Sequence, residues 1–446
     1  MNNKYIELSQ KYNTFTYEKY DIKYLKDKIE ITYYFTINNL CTFTPKLEIE
    51  VKNINNKNKE FISYLVFNIG MIELISYWKS TCSKNIVVKC GHLSNKQVNW
   101  FKKTYFYGLG EFFYINNIDT NIKDFVNIVT HNKEKVTHDR FYKGEGNLIP
   151  VGGGKDSNVT LELLKNEDNT CFAINPKNVH YDCIGLSGIQ KTIFVNRTID
   201  KKLIELNNEG FLNGHTPFSA LVSFISLLCA YLTNKKYIVL SNEGSANEST
   251  VIGQNINHQY SKSYEYEEDF NYYVKKYLKI DIKYFSILRC LNELQIALLF
   301  SKYKKYHQTF RSCNLGSKNS DWQWCGNCPK CLFTFIILSA FMDYDEVIEI
   351  FNKDLLNDGN LIDYYKQLLG ETKAKPFECV GTIEETKIAS SMIIKKQKED
   401  LPLLLKYYKE NYKLEENNIL KRFNKDNNCD EHFIKILKEE LNKYVR

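Results

Sequence analysis

One stretch constrains this chain more than any other: Leu148-Ile149-Pro150-Val151-Gly152-Gly153-Gly154-Lys155-Asp156-Ser157. A short apolar run enters three adjacent glycines, and residues 158–164 then read as the first turns of a helix. A strand, a glycine turn and a helix N-terminus present unpaired backbone N–H groups and the positive end of a helix dipole to one spot, a ready place for phosphate. Adjacent glycines let the backbone approach an anion without a Cβ in the way. Two common glycine loops are excluded. A P-loop needs Ser or Thr after its Lys and a Gly five positions before its last Gly; here those positions hold Asp156 and Ile149. The dinucleotide fingerprint needs a third Gly where this chain has Ser157. What remains is a Gly-Gly-x-Asp-Ser loop.

The rest of the chain supplies a large frame for that loop. Its 446 residues allow two or three domains. The formal charge of +7 is mild for this size and does not demand a nucleic-acid partner. The start lacks the apolar core of a secretory leader. The apolar runs 61–78 and 218–232 are best read as buried helices, the first interrupted by Asn68 and Glu73 and the second too short to span a bilayer, so no membrane insertion is expected. Thirteen cysteines without a leader argue for thiols or metal ligands in a reducing compartment. A soluble cytoplasmic protein is the expectation.

Residues 29–36 and 47–51 alternate apolar and polar side chains, as strands with one wet face do. Residues 59–80 read as a helix, and 85–89 as a further strand. A first α+β domain is expected over 1–145. From Gly146 the pattern becomes strand–helix alternation, the signature of a mostly parallel sheet. Strands are expected at the loop's entry and at 170–174, 192–195 and 237–240. An α/β nucleotide-binding domain is expected over 146–340, and a mainly helical region over 341–446.

In open parallel sheets, ligands sit outside the carboxyl ends of the strands. The polar run 241–249, directly after a strand, should therefore line the same site as the glycine loop. Leu212-Asn213-Gly214-His215-Thr216-Pro217 precedes an apolar helix, with Thr216 a good N-cap and Pro217 a good first residue. His215 would then stand beside a helix N-terminus, which suits a neutral imidazole donating to phosphate or carboxylate. A further polar cluster, 257–263, holds His258; a histidine of that kind is more often simply a satisfied surface or core residue.

Cys313 precedes Cys325-Gly326-Asn327-Cys328-Pro329-Lys330-Cys331 by eleven residues. Four cysteines with x₂ spacings in a reduced chain point to a closed tetrahedral metal site, with structural zinc favoured. An iron–sulfur cluster is the competitor, but no Cys-Pro follows at the offset of ferredoxin sequences.

The Gly-Gly-x-Asp-Ser loop resembles the pyrophosphate-binding loop of the PP-loop ATP pyrophosphatases. Loop and cysteines together resemble two families within that group. One is the cyano-deazaguanine synthases. The other carries more of the chain: Gly108-Leu109-Gly110-Glu111-Phe112, the glycine loop, Leu212 to His215, Ser241 to Ala246, Asn257 to Lys262, Trp324 to Cys331 and Pro376 to Gly381, in this order. These strings resemble the UDP-N-acetylmuramoyl-L-alanyl-L-glutamate epimerases of peptidoglycan synthesis, over about residues 105–385.

The resemblance implies a PP-loop, HUP-like, doubly wound parallel core with an N-terminal α+β domain and a helical C-terminal region carrying a four-cysteine metal site. It implies an isomerase that consumes ATP with Mg²⁺, releases AMP and pyrophosphate, and inverts the terminal glutamate of a nucleotide-linked muramoyl dipeptide. Gly152, Gly153, Gly154, Lys155, Asp156 and Ser157 would hold ATP, with Asp156 near Mg²⁺. Lys155, His215, Glu243 and Cys379 are the candidates for proton transfer. Asn213, Asn242, Ser245, Asn247 and His258 are candidates for holding the acceptor. Cys313, Cys325, Cys328 and Cys331 would hold zinc. An enzyme of deazaguanine synthesis or tRNA modification is the alternative, and a non-enzymatic nucleotide-binding or zinc scaffold is a second. Oligomeric state stays open.

Overall fold

The structure, a computed structural model, describes residues 3–51, 54–130, 138–247, 260–316, 323–397, 400–416 and 418–445. Its centre is one eleven-stranded sheet. The strands are β1 (Thr14–Tyr24), β2 (Lys28–Ile37), β3 (Cys41–Phe43), β4 (Lys46–Glu50), β5 (Asn85–Val88), β6 (Asn127–Thr130), β7 (Asn147–Pro150), β8 (Asn169–Ile174), β9 (Thr192–Thr198), β10 (Tyr237–Leu240) and β11 (Lys283–Ser286).

The site is positioned by the parallel half, in the order β11-β10-β7-β8-β9. The chain lays β7, β8 and β9 outward in one direction. It then returns to place β10 against the free side of β7, with β11 beyond. The order reverses between β7 and β10, which is the topological switch point where ligands bind in such sheets. These strands are covered on both faces: Leu148, Phe172, Ile238 and Tyr284 enter the core on one side. Their neighbours Ile149, Cys171, Val239 and Phe285 enter the core on the other. Burial on both faces is why these segments are short continuous apolar runs in the sequence.

β9 pairs antiparallel with β4, Leu47 opposite Arg197 and Ile49 opposite Val195. The sheet then continues through β2, β1, β5 and β6, so it runs unbroken across residue 145. On β2, Ile29, Ile31, Tyr33, Phe35 and Ile37 are fully buried, as their alternation requires. The helices Lys59–Glu73 and Phe218–Leu232 pack together over one face of the sheet. Lys59–Trp78 is the one stretch among the described residues long and apolar enough to cross a membrane, and most of its side chains lie in the core.

On the other face, helix Lys155–Leu163 packs against helix Glu293–Lys302, and helix Pro329–Ser339 against helix Ile383–Gln397. From Tyr344 onward the described residues are helical or irregular, with no strand. One helix start differs from expectation. The helix after His215 begins at Phe218, and Thr216 is not its cap. Instead the Thr216 carbonyl accepts the Phe218 N–H at 2.7 Å, a tight turn around the fixed backbone of Pro217.

Candidate active site

β7 ends at Pro150 and the chain turns through the three glycines into helix Lys155–Leu163. Gly153 has φ +76°, and a Cβ there would also meet Val179 at 3.0 Å, so only glycine fits. Gly154 occupies the N-cap position in extended conformation and supplies no side chain to cap the helix. The Ser157 hydroxyl donates to the Gly154 carbonyl at 3.0 Å. The Arg311 N–H donates to the Gly153 carbonyl at 2.8 Å, which fastens the segment before Cys313 onto the loop.

Lys155, the first helical residue, turns its buried ammonium inward between Asp156 and Glu293, whose Oε2 lies 2.5 Å away. Burial alone would lower the Lys155 pKa. The two carboxylates outweigh it and hold the ammonium above its ordinary value. Glu293 opens its own helix, where Asn292 is the cap. Burial pushes its carboxyl up to about 8, against the pull of Lys155; the charges of Asp156, Glu243 and Glu385 add to the rise.

The mouth of β10 faces the same cluster. Ser241 donates to Thr160 on the loop's helix at 2.8 Å. The Asn242 carbonyl accepts from Ser286 at the end of β11, at 2.5 Å. Glu243 is buried and accepts from Ser245 at 3.4 Å. Lys262 reaches in from the segment before helix Tyr264–Tyr273 and places its Nζ 3.0 Å from Cys379 Sγ. Burial would lower the Lys262 pKa, but Cys379, Glu243 and Asp156 raise it above the ordinary lysine value. Arg289 is wholly buried and organises this corner. It donates to the Glu243 carbonyl at 3.0 Å, to the Lys262 carbonyl at 2.5 Å and to Glu267 at 3.3 Å. The switch point therefore gathers two lysines, a thiol and the carboxyls of Asp156, Glu243, Glu293 and Glu385.

His215 stands in a second group. Its Nδ1 lies 3.7 Å from Glu111 Oε2. Its loop is held by Lys79, which donates to Asn213 Oδ1 at 3.0 Å and to the Gly214 carbonyl at 2.5 Å. Burial, helped by Arg197, lowers the Lys79 pKa to about 8. The two groups meet through a ring contact. Tyr114, on the same helix as Glu111, lies 5.6 Å from Phe377, two residues before Cys379.

The cysteine loop packs beside this site. The sulfurs of Cys313, Cys325, Cys328 and Cys331 all lie within 4.8 Å of one another, with close pairs at 3.5, 3.6 and 3.8 Å. Four thiolates around one zinc at about 2.3 Å stand about 3.8 Å apart, so the spacing suits a single tetrahedral ion.

The family model for the MurL N-terminal domain matches residues 7–287, and that for the MurL C-terminal domain matches residues 309–421. The chain belongs to the MurL family. Curated relatives carry the name UDP-N-acetyl-alpha-D-muramoyl-L-alanyl-L-glutamate epimerase. The one from Xanthomonas oryzae is 32% identical over 334 residues, 73% of each chain. The one from Micromonospora is 39% identical over 264 residues, 58% of this chain and 59% of the relative. The one from Salinispora tropica is 34% identical over 333 residues, 73% of this chain and 72% of the relative. No solved structure matches.

Both MurL matches contribute to the switch-point cluster: the first spans the glycine loop, Glu243 and Lys262, the second Cys379 and Glu385. Of the residues expected from the sequence, Lys155, Asp156, Glu243 and Cys379 come together there. Asn213 and His215 lie in the neighbouring group, and the Asn213 side chain is engaged by Lys79. His258 and the side chain of Asn247 lie outside the described residues. Sequence reasoning missed Lys79, Lys262, Arg289, Glu293 and Glu385. For Lys262 the signal was its place in the 257–263 polar cluster. Nothing in the sequence around Glu293 and Glu385 sets them apart from ordinary helix-start acids.

Proposed function

We propose that this member of the MurL family is an ATP-dependent epimerase that converts the terminal L-glutamate of UDP-N-acetylmuramoyl-L-alanyl-L-glutamate to D-glutamate in peptidoglycan precursor synthesis. The observation that carries this reading is the joining, at one switch point, of a phosphate-type glycine loop with a set of buried and half-buried titratable groups. The Cα proton of a glutamate beside a free carboxylate is barely acidic, because that carboxylate resists a second negative charge. Adenylation, which splits ATP into AMP and pyrophosphate units, removes the charge and turns the carbonyl into an electron sink. A base then takes the Cα proton, and return of a proton to the other face inverts the centre. Hydrolysis of the acyl-adenylate frees the product.

The roles follow from position. The amides of Gly152 to Ser157, with the Ser157 hydroxyl, hold phosphate at the uncapped helix start. Asp156, the partly exposed carboxylate at the helix start, is the group that would hold Mg²⁺, since hard oxygen donors are what this ion prefers. Mg²⁺ bound there would offset the phosphate charge. The four cysteines fit structural zinc, which would fix the loop before helix Pro329–Ser339. A direct test is incubation with ATP, Mg²⁺ and the muramoyl dipeptide nucleotide, followed by assay of AMP and chiral analysis of glutamate. D-Glutamate with acceptor-dependent AMP supports the reading; AMP release indifferent to the acceptor contradicts it.

A further inference from the structure

The segment carrying Cys379 is fastened to the cysteine loop at two points. Asn314, next to Cys313, donates to Glu378 Oε2 at 2.6 Å. Lys330, between Cys328 and Cys331, donates to the Cys379 carbonyl at 2.8 Å. On its other side the Cys379 sulfur meets Lys262 at 3.0 Å, and the Lys262 backbone is itself held by the wholly buried Arg289. A flexible surface cysteine has no such frame. Here both members of a thiol–ammonium pair are fixed by their main chains, each from a different side of the site.

We propose that Cys379 is the base that removes the Cα proton on one face of the glutamate, with Lys262 keeping its sulfur anionic and the four-cysteine loop aiming it through Asn314 and Lys330. This assignment rests on the epimerase reading above and names one of its two proton-transfer groups. A thiolate is the reactive form of cysteine, and a neighbouring ammonium favours it over the thiol. Glu243 and Asp156 also face Lys262 and keep that lysine charged. In the step, the sulfur lone pair forms an S–H bond as the Cα–H bond breaks. The C–H electron pair moves into the activated carboxyl. A second group delivers a proton to the opposite face, and the Cys379 thiol then returns its proton to solvent. One proton leaves the substrate and one enters, so charge balances over the cycle. Cys379 is the catalytic residue of the pair; Lys262, Asn314 and Lys330 are positioning residues.

The pair can be tested without substrate. The metal-loaded full chain is treated with iodoacetamide across a pH series, and the Cys379 peptide is followed by mass spectrometry. The expected alkylation midpoint lies at least about one unit below the ordinary thiol value of about 8.5. Lys262→Met should raise it to the ordinary value, and Lys262→Arg should keep it low. An ordinary midpoint in the wild type, or one that Lys262→Met does not move, overturns the pairing. In D₂O with ATP, Mg²⁺ and acceptor, Cys379→Ser should cut deuterium entry at Cα by at least about 100-fold while AMP still forms. Deuterium entry at the wild-type rate would overturn the role of Cys379. Absence of AMP from the wild type would strike the adenylation reading instead, and the alkylation result would stand apart from it.

Discussion

Glu385 Oε1 accepts the backbone N–H of Glu293 at 2.8 Å, although the two residues are 92 positions apart. Its other oxygen accepts the Thr382 N–H at 2.6 Å, while Thr382 Oγ1 accepts the Glu385 N–H at 3.1 Å. One carboxylate thus caps its own helix and the first turn of the helix that carries Glu293 to Lys155. This joins the C-terminal helices to the glycine loop. Glu385→Ala leaves two N–H groups without their acceptor and should cost about 2–4 kcal/mol of stability. Denaturant unfolding checks it; a loss under about 0.5 kcal/mol would show that the cap carries little.

Lys79 gives a pH signature. Its pKa falls to about 8 in the folded chain, from an ordinary 10.5. Between those values the unfolded chain holds a proton that the folded chain has shed, so this lysine makes stability rise with pH across that window. The contribution amounts to at most about 3 kcal/mol. Unfolding curves for wild type and Lys79→Met, compared from pH 7.5 to pH 10.5, should diverge in that sense. A pH-independent difference would mean that Lys79 titrates as an ordinary exposed lysine. The same variant removes one of the two donors to Asn213 Oδ1 and leaves the Gly214 N–H in place; with Asn213 expected to hold the acceptor, KM should rise more than AMP formation at saturation falls.

The cysteine loop should bind one zinc per chain. Replacing any one of Cys313, Cys325, Cys328 or Cys331 with Ser should lower thermal stability, since metal-binding energy is folding energy. Elemental analysis checks the count. Visible absorbance from iron and sulfide would show the other thiolate chemistry.

Asp156→Ala and Ser157→Ala test the proposed nucleotide-binding loop. Each should reduce pyrophosphate release by about 100-fold or more, on the scale of losing one charge-stabilising contact. Wild-type release in both would remove the loop from the chemistry.

The core of the site was legible because the two physical signals that mark it are local. Glycines at 152–154 announce a turn that side chains would block, and the apolar runs 148–151 and 237–240 announce strands buried on both faces. Together they placed Asp156 and Glu243 at one mouth. Glu293 and Glu385 were invisible because a helix-start acid has the same sequence signature whether it faces water or a buried lysine. The burial that lifts the Glu293 carboxyl comes from helices contributed by distant parts of the chain. β1 and β11 were also missed. β1 carries polar residues through its exposed second half, and β11 is four residues long with a lysine at its start. The antiparallel joint between β4 and β9, which makes one sheet of two halves, is a long-range pairing with no local mark.

The central claim is proton exchange at an activated carboxyl. The most direct measurement runs the reaction in D₂O with ATP, Mg²⁺ and UDP-N-acetylmuramoyl-L-alanyl-L-glutamate, and reads glutamate chirality, Cα deuterium and AMP from one sample. The account predicts D-glutamate carrying deuterium at Cα, formed only as ATP is cleaved to AMP and pyrophosphate. D-Glutamate that forms without nucleotide cleavage, or that keeps its original Cα hydrogen, would contradict it.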